Sequence, residues 1–250
     1  MKYIESVKNP KVKQWKKLHT KKERDLTGTF LAEGYHLVEE ALKDKDQIVE
    51  LIISEASEIP SSWNLDGISI TMAPPEVLKA ISDTETPQGA AAVCRRLEAK
   101  GSDSWSRVLM IDSLQDPGNL GTLIRTADAA GIDGIVLGEG TVDLYNSKVI
   151  RSSQGSIFHL PAVKGEIGEW AGKLKERGVS VYGTSLAGGF DYKTVQSGGS
   201  FALLIGNEGS GVSEELLGLT DQNLYIPIHG QAESLNAAIA AGILLYHLRG

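Results

Sequence analysis

The sequence predicts an α/β protein in two parts: a small α/β unit, then a larger one built on a parallel sheet covered on both faces. Three observations predict it. After residue 107, short apolar runs and helical patterns alternate repeatedly, as they do when strands of a parallel sheet are joined by helices. Before residue 96, three short apolar runs stand among amphipathic segments. Between the two, Leu97–Ser106 (LEAKGSDSWS) is charged and small, without apolar periodicity, and reads as a linker. The expected boundaries are therefore 1–96, a linker over 97–106, and 107–250.

In chain order, Lys11–Arg24 reads as one basic helix with Val12, Trp15 and Leu18 as its apolar stripe. The segment Thr29–Gly34 breaks that pattern, and Tyr35–Leu42 resumes as a helix. Ile48–Ile53, Ile68–Met72 and Gly89–Val93 read as strands. Pro74 and Pro75 open a helix over Glu76–Ile81, because proline is tolerated where the N–H has no partner. In the second part Val108–Ile111 is a buried strand, and Asp112–Asn119 (DSLQDPGN) is all turn chemistry. Leu120, Leu123, Ile124 and Ala127 then fall at helical spacing up to a cap at Gly131. Strands follow at Ile132–Leu137, Ile157–Val163, Val179–Thr184, Phe201–Ile205 and Leu224–Ile228. Helices fall at Tyr145–Ser153, Ile167–Arg177, Ser213–Leu217 and Ser234–Leu248. The last is apolar nearly all round, which predicts burial, within the core of its domain or against another chain.

Composition narrows the class. Of 250 residues, 41% are hydrophobic and 23% charged, ordinary for a globular protein. No apolar run is long enough to span a bilayer, and the basic N-terminus lacks the apolar segment of a secretory signal. A single cysteine, Cys94, leaves no internal disulfide, and five scattered histidines make no metal cluster. The expected setting is cytoplasmic, without a membrane or a metal. Net charge is −7, yet residues 1–25 carry nine Lys/Arg against three acids, so a basic arm precedes an acidic body. Such an arm suits a local phosphate contact, or a solvated helix face.

Two stretches carry the clearest chemical signal: FALLIGNEGSGV (201–212) and YIPIHGQAESLNAAIAAG (225–242). In each an apolar run stops abruptly in a loop of Gly, Asn, Glu and Ser. Loops at the carboxyl ends of parallel strands are where such sheets bind ligands, so the two turns are expected to share a pocket. The glycines follow neither the dinucleotide GxGxxG spacing nor a phosphate-binding P-loop, which sets aside a nucleotide-dependent oxidoreductase. Upstream, Asn119 stands where it can cap a helix, and Arg125 projects away from the apolar stripe. Ser234 is positioned to cap the last helix; Asn236 then falls in its first turn, where capping does not explain it.

Three blocks stand in order: DPGNLGTLIRTA (116–127), LIGNEGSGV (204–212), and IPI (226–228) followed after five residues by SLN (234–236). Together they resemble the three signature motifs of the SpoU, or TrmH-type, RNA ribose 2′-O-methyltransferases of the SPOUT class. The resemblance covers 107–249, with Ile228 where members commonly carry Met. More loosely, the first unit, with FLAEG (30–34) and TPQG (86–89), is similar to the ribosomal protein L30e-like substrate-binding domain of many members.

The resemblance implies a C-terminal trefoil knot, S-adenosylmethionine as cofactor, a homodimer formed through the C-terminal domain, and RNA as substrate, ribosomal RNA favoured over transfer RNA. It implies Arg125 as the catalytic residue, with Asn119, Glu208, Ser234 and Asn236 around it. It implies a cofactor site at Gly206, Ile226 and Leu235, with Thr184, Ser185 and Leu186 as a further wall. The family proposal makes the arginine a general base, but a guanidinium keeps its proton in proteins, so orienting substrate phosphate is the better role. The competing reading is a non-catalytic RNA-binding protein that retains the fold. The joint presence of Asn119, Arg125, Glu208, Ser234 and Asn236 favours the enzyme.

Overall fold

The structure is a computed structural model that describes residues 1–97 and 101–250. The chain divides into two compact units. The first is Met1–Leu97 with Asp143–Phe158; the second takes the described residues up to Val142 and His159–Gly250.

The first unit begins with β1 (Lys2–Tyr3), α1 (Pro10–Lys17) and α2 (Lys21–Thr27). The single helix expected over Lys11–Arg24 is thus two. Thr20 interrupts it, because its side chain accepts the backbone N–H of Glu23 and starts a new helix. Next come β2 (Thr29–Glu33), α3 (Tyr35–Leu42), β3 (Ile48–Ser54), β4 (Ile70–Ala73), α4 (Pro75–Ile81) and β5 (Ala90–Arg95). The strands form one sheet in the order β1-β4-β3-β5-β2. β2 is the segment that the periodicity left as a break; it pairs antiparallel with β5 from Thr29 opposite Arg95 to Glu33 opposite Ala91. Val12, Trp15, Leu18, Leu31, Ile52, Val77, Leu78 and Ile81 share its core. Cys94 is buried there, and burial pushes its thiol up to about 12, so it is chemically inert.

The second unit opens with β6 (Arg107–Ile111), α5 (Pro117–Ala129) and β7 (Gly134–Leu137). The chain then supplies α6 (Ser147–Ser152), which belongs to the first unit. Here Tyr145 lies 4.6 Å from the ring of Phe30, and Asp143 accepts from Arg24 Nε at 3.1 Å and Nη2 at 2.5 Å. The expected 107–250 range is therefore interrupted by residues packed with the N-terminal sheet. Of the expected linker 97–106, residues 98–100 lie outside the described residues. Its far end is folded: Trp105 is buried and stacks on Trp170 at 5.7 Å.

The chain continues through β8 (Ala162–Lys164), α7 (Ile167–Glu176), β9 (Ser180–Thr184), β10 (Phe190–Asp191), β11 (Phe201–Ile205), α8 (Glu214–Leu217), β12 (Gln222–Tyr225) and α9 (Ala237–Arg249). The strand expected over Ile157–Val163 is only β8, which starts after Pro161; a 3₁₀ turn occupies Ser156–Phe158. Seven parallel strands lie in the order β10-β12-β9-β11-β6-β7-β8. The strands on either side of the β6–β11 pair are reached by successive crossovers in opposite directions, which creates a crevice at their carboxyl ends. The final register pair is Ile111 with Ile205, and Asp112 N donates to Ile205 O at 2.8 Å, so the loops after β6 and β11 begin side by side.

Arg24 is 3% exposed, and its guanidinium also donates to Leu18 O at 2.7 Å. Removing one partner of such a buried pair leaves an uncompensated charge. Asp143→Ala is expected to destabilise the first unit by about 3–5 kcal/mol, read as faster amide exchange across β2 and α2. A loss below about 1 kcal/mol, the size of an exposed pair, would contradict it.

Candidate functional site

Helix α5 starts where Pro117 follows Asp116, whose carboxylate accepts Asn119 N at 2.8 Å. Asp116 is thus the N-cap, and Asn119, read from sequence as the cap, sits within the first turn with its amide free to reach outward. Helix α9 is capped by Asn236, which accepts Ala238 N at 2.9 Å and Ile239 N at 3.3 Å. The expected cap, Ser234, lies two residues earlier in an exposed loop, since the helix begins only at Ala237. Capping does explain Asn236, and it leaves the side-chain Nδ2 available for a second bond.

That second bond joins the motifs. Asn236 Nδ2 donates to Asn119 Oδ1 at 2.9 Å, and Asn119 Nδ2 donates to Glu208 Oε1 at 3.2 Å. Glu208 also accepts Asp116 N at 2.9 Å and Gln115 N at 3.2 Å. Partial burial pushes this carboxyl's pKa upward, but the N–H groups of Asp116, Glu208 itself and Gln115, with the Asn119 amide, outweigh it and hold it below the ordinary glutamate value. Ionised, the carboxylate only accepts, and each of these partners donates.

A cavity of about 430 Å³ opens at the carboxyl ends of β9, β11 and β12. Thr184, Ser185 and Leu186 form one wall, Gly206–Val212 another, and Tyr225, Ile226 and Ile228 a third; Ser234 and Leu235 also line it. Gly206 has to be glycine, because a Cβ there would stand 2.1 Å from the carbonyl carbon of Gly211. Between Ile226 and Leu235 no backbone hydrogen bond forms to the described residues, so these polar groups are open to a ligand. Leu186 and Leu235, 61% and 37% exposed, put apolar surface at the rim. Apolar walls with unpaired backbone donors and acceptors fit the adenine ring and polar groups of a nucleoside cofactor such as S-adenosylmethionine.

All six sequence-expected cofactor residues (Thr184, Ser185, Leu186, Gly206, Ile226 and Leu235) thus line one cavity, with Glu208 and Ser234. Asn119 and Asn236 join it through Glu208 rather than as walls. Arg125 lies elsewhere, on the exposed face of α5 and outside the lining. One organising residue escaped the sequence reading. Asn207 Oδ1 accepts Gly209 N at 2.9 Å and Ser210 N at 3.2 Å, while its Nδ2 donates to Ser113 O at 2.9 Å. Asparagine two residues before glycine is the sequence signal of such a turn.

Comparison with known proteins bears on this site. The model of the SpoU rRNA methylase family matches residues 106–246, and that of the MRM3-like substrate binding domain matches 9–92. The chain is 55% identical, over all of both chains, to the 23S rRNA (guanosine(2553)-2′-O)-methyltransferase RlmP of Bacillus subtilis. Among solved structures it resembles the AdoMet-bound rRNA methyltransferase from Sinorhizobium meliloti, at 34% identity and TM-score 0.88, covering 99% of this chain and 97% of that one. It also resembles the SpoU methyltransferase AviRb from Streptomyces viridochromogenes in complex with AdoMet, at 30% identity and TM-score 0.84, covering 96% and 97%.

Because its folded-state value is lowered, Glu208 favours the joined loops above the ordinary value of 4.5, and that contribution is lost as pH falls through the lowered value. The Glu208 Cδ resonance is expected to titrate below 4.5. Titration at or above the ordinary value would show that the N–H donors do not hold the carboxylate.

Proposed function

The chain belongs to the SpoU rRNA methylase family, and from that membership we propose a substrate, residue roles and an assembly. It is an enzyme that transfers the methyl group of S-adenosylmethionine to a ribose 2′-hydroxyl of RNA. The proposed target is 23S rRNA at guanosine 2553, the nucleotide in the name of the Bacillus relative. One observation carries this choice: the alignment to that relative, at 55% identity, spans the whole of both chains and so includes the 9–92 substrate-binding region as well as the catalytic half. A site of action on ribosomal RNA is in keeping with the cytoplasm, and no helix among the described residues is long and apolar enough to cross a membrane.

The cofactor, when bound, supplies a methyl group on a sulfonium, so the reaction needs a 2′-oxygen aligned with that carbon and relieved of its proton. This chain's residues provide the alignment. The loops carrying Gly206, Ile226 and Leu235 hold the cofactor with backbone groups, and Thr184, Ser185 and Leu186 close the third side. Glu208, Asn119 and Asn236 keep those loops in fixed relation to α5. Arg125, exposed on α5, takes the substrate phosphate in its planar fork and orients the hydroxyl. Ser234, which lines the cavity, supplies the one hydroxyl of the third motif to this site. The exposed lysines Lys13, Lys16, Lys17 and Lys22, which form no ion pair among the described residues, give the first unit its RNA backbone contact.

Assembly follows from α9. Its apolar surface is divided between the core of its own unit and an exposed face, the second of which suits the alternative of burial against another chain. Ala238, Ala241, Leu244, Leu245 and Leu248 face the core, whereas Ile239, Ile243 and Tyr246 are 56%, 36% and 57% exposed. These three fall at i, i+4 and i+7, one apolar stripe awaiting a second surface. The proposed partner is a second copy. The same reading threads α9 through a knot; Gly198 N donates to Leu248 O at 2.9 Å, which supports a chain end held against the preceding loop.

Ribose-methylation mapping of 23S rRNA from cells with and without the gene tests the target. The signal at guanosine 2553 is expected to vanish; its persistence would refute that substrate. Arg125→Lys keeps the charge but loses the fork. Its kcat/KM is expected to fall about 100-fold with cofactor affinity unchanged, and wild-type activity would overturn the orienting role. Ile239→Asp with Ile243→Asp is expected to convert a dimer to a monomer in light scattering; an unchanged mass would reject the α9 interface.

A further inference from the structure

A second cavity, of about 230 Å³, lies wholly among residues of the first unit, apart from the groups assigned above to methyl transfer. Its floor is apolar and buried, formed by Leu37, Leu78, Ile81 and Ala91. Its volume is below the roughly 300–1,000 Å³ of ordinary small-molecule sites, which suits one planar ring system.

The polar groups at its rim are partly unused. Gln88 Oε1 accepts Tyr35 N at 3.1 Å. A backbone N–H only donates, so this bond fixes the amide orientation and leaves Nε2 as a donor with no protein partner among the described residues. Gly34, with φ +98, makes room for it, since a Cβ there would lie 2.7 Å from Gln88 Oε1. Arg151 contributes Nη1, a buried atom without a hydrogen-bond partner; Asp83 Oδ2, at 3.6 Å, pairs with it only as a charge. A buried donor left unpaired marks a place where something else completes the bonding. Opposite in character, the Glu33 carboxylate accepts Ser82 Oγ and Asp83 N and retains accepting capacity.

We infer that this cavity receives one unpaired nucleobase of the RNA substrate, its ring on the apolar floor and its edge read by Gln88, Arg151 and Glu33. The Glu33 carboxylate at the rim disfavours a bare phosphate and, beside the Gln88 and Arg151 donors, favours an edge that carries both donors and acceptors. Splayed, unstacked bases are what proteins read in RNA, by apolar contact and edge hydrogen bonds. The pocket rests on the proposed function, in which the first unit holds RNA, and adds a specificity element remote from the methylated ribose.

Steady-state kinetics of the full-length protein with 23S rRNA test it. Gln88→Ala and Arg151→Gln are each expected to raise the RNA KM about tenfold, with kcat, cofactor affinity and thermal unfolding unchanged. Wild-type KM in Gln88→Ala, at an exposed position, would overturn the pocket. On the wild-type protein, the Gln88 Nε2 resonances are expected to shift with at least one of AMP, GMP, CMP and UMP and not with ribose 5-phosphate. No shift, or an equal shift with ribose 5-phosphate, would also overturn it. Failure of the wild-type protein to methylate 23S rRNA would instead remove the functional reading beneath the inference.

Discussion

The Glu208 carboxylate is the point on which the second unit's functional surface depends. It gathers Gln115 N, Asp116 N and the Asn119 amide from the start of α5, and through Asn119 it reaches Asn236 at the start of α9. A helix start carries unpaired N–H groups and partial positive charge, so an ionised acceptor is the natural partner there. Each member has a second duty: Asn236 caps its own helix, and Asn119 both accepts and donates. Three loops distant in sequence therefore have one relative position.

The sheet makes that meeting geometrically possible. β6 and β11 are neighbours in register, and the bond from Asp112 N to Ile205 O starts their two loops from a common edge. Asn207 adds a second tie, from the glycine-bearing loop to Ser113, a residue with φ of 53°. A non-glycine residue in that conformation carries strain that the surrounding bonds must offset. The cavity walls from β9, β11 and β12 then stand close to the start of α5, because adjacent parallel strands all deliver their loops to one end.

Much of this was legible from residues. Apolar runs that stop in Gly, Asn and Glu mark the strand ends, and the three motif blocks specify a family. The misreadings have physical causes. A run such as SLNA offers two side chains able to cap, and only the backbone conformation decides that Asn236 and not Ser234 does so. Likewise DPGN offers Asp116 and Asn119. The strand β2 lacks the strict alternation of a half-buried strand, with Phe30, Leu31 and Ala32 all buried in succession. Hydropathy cannot separate a core face from a face awaiting a partner, so for α9 the sequence left both alternatives open. The periodicity of residues 145–153 announces a helix but not the sheet against which it packs.

That last point has a consequence for how such proteins diversify. Residues 143–158 belong to the first unit although they lie inside the stretch matched by the methylase family. A recombination event that exchanged only the N-terminal hundred residues would separate Arg24 from Asp143 and Phe30 from Tyr145. The acceptor would inherit a bare segment with apolar and acidic groups shaped for a missing host. New target preferences in this lineage are therefore more readily acquired by point change within the existing unit than by wholesale transplantation of it.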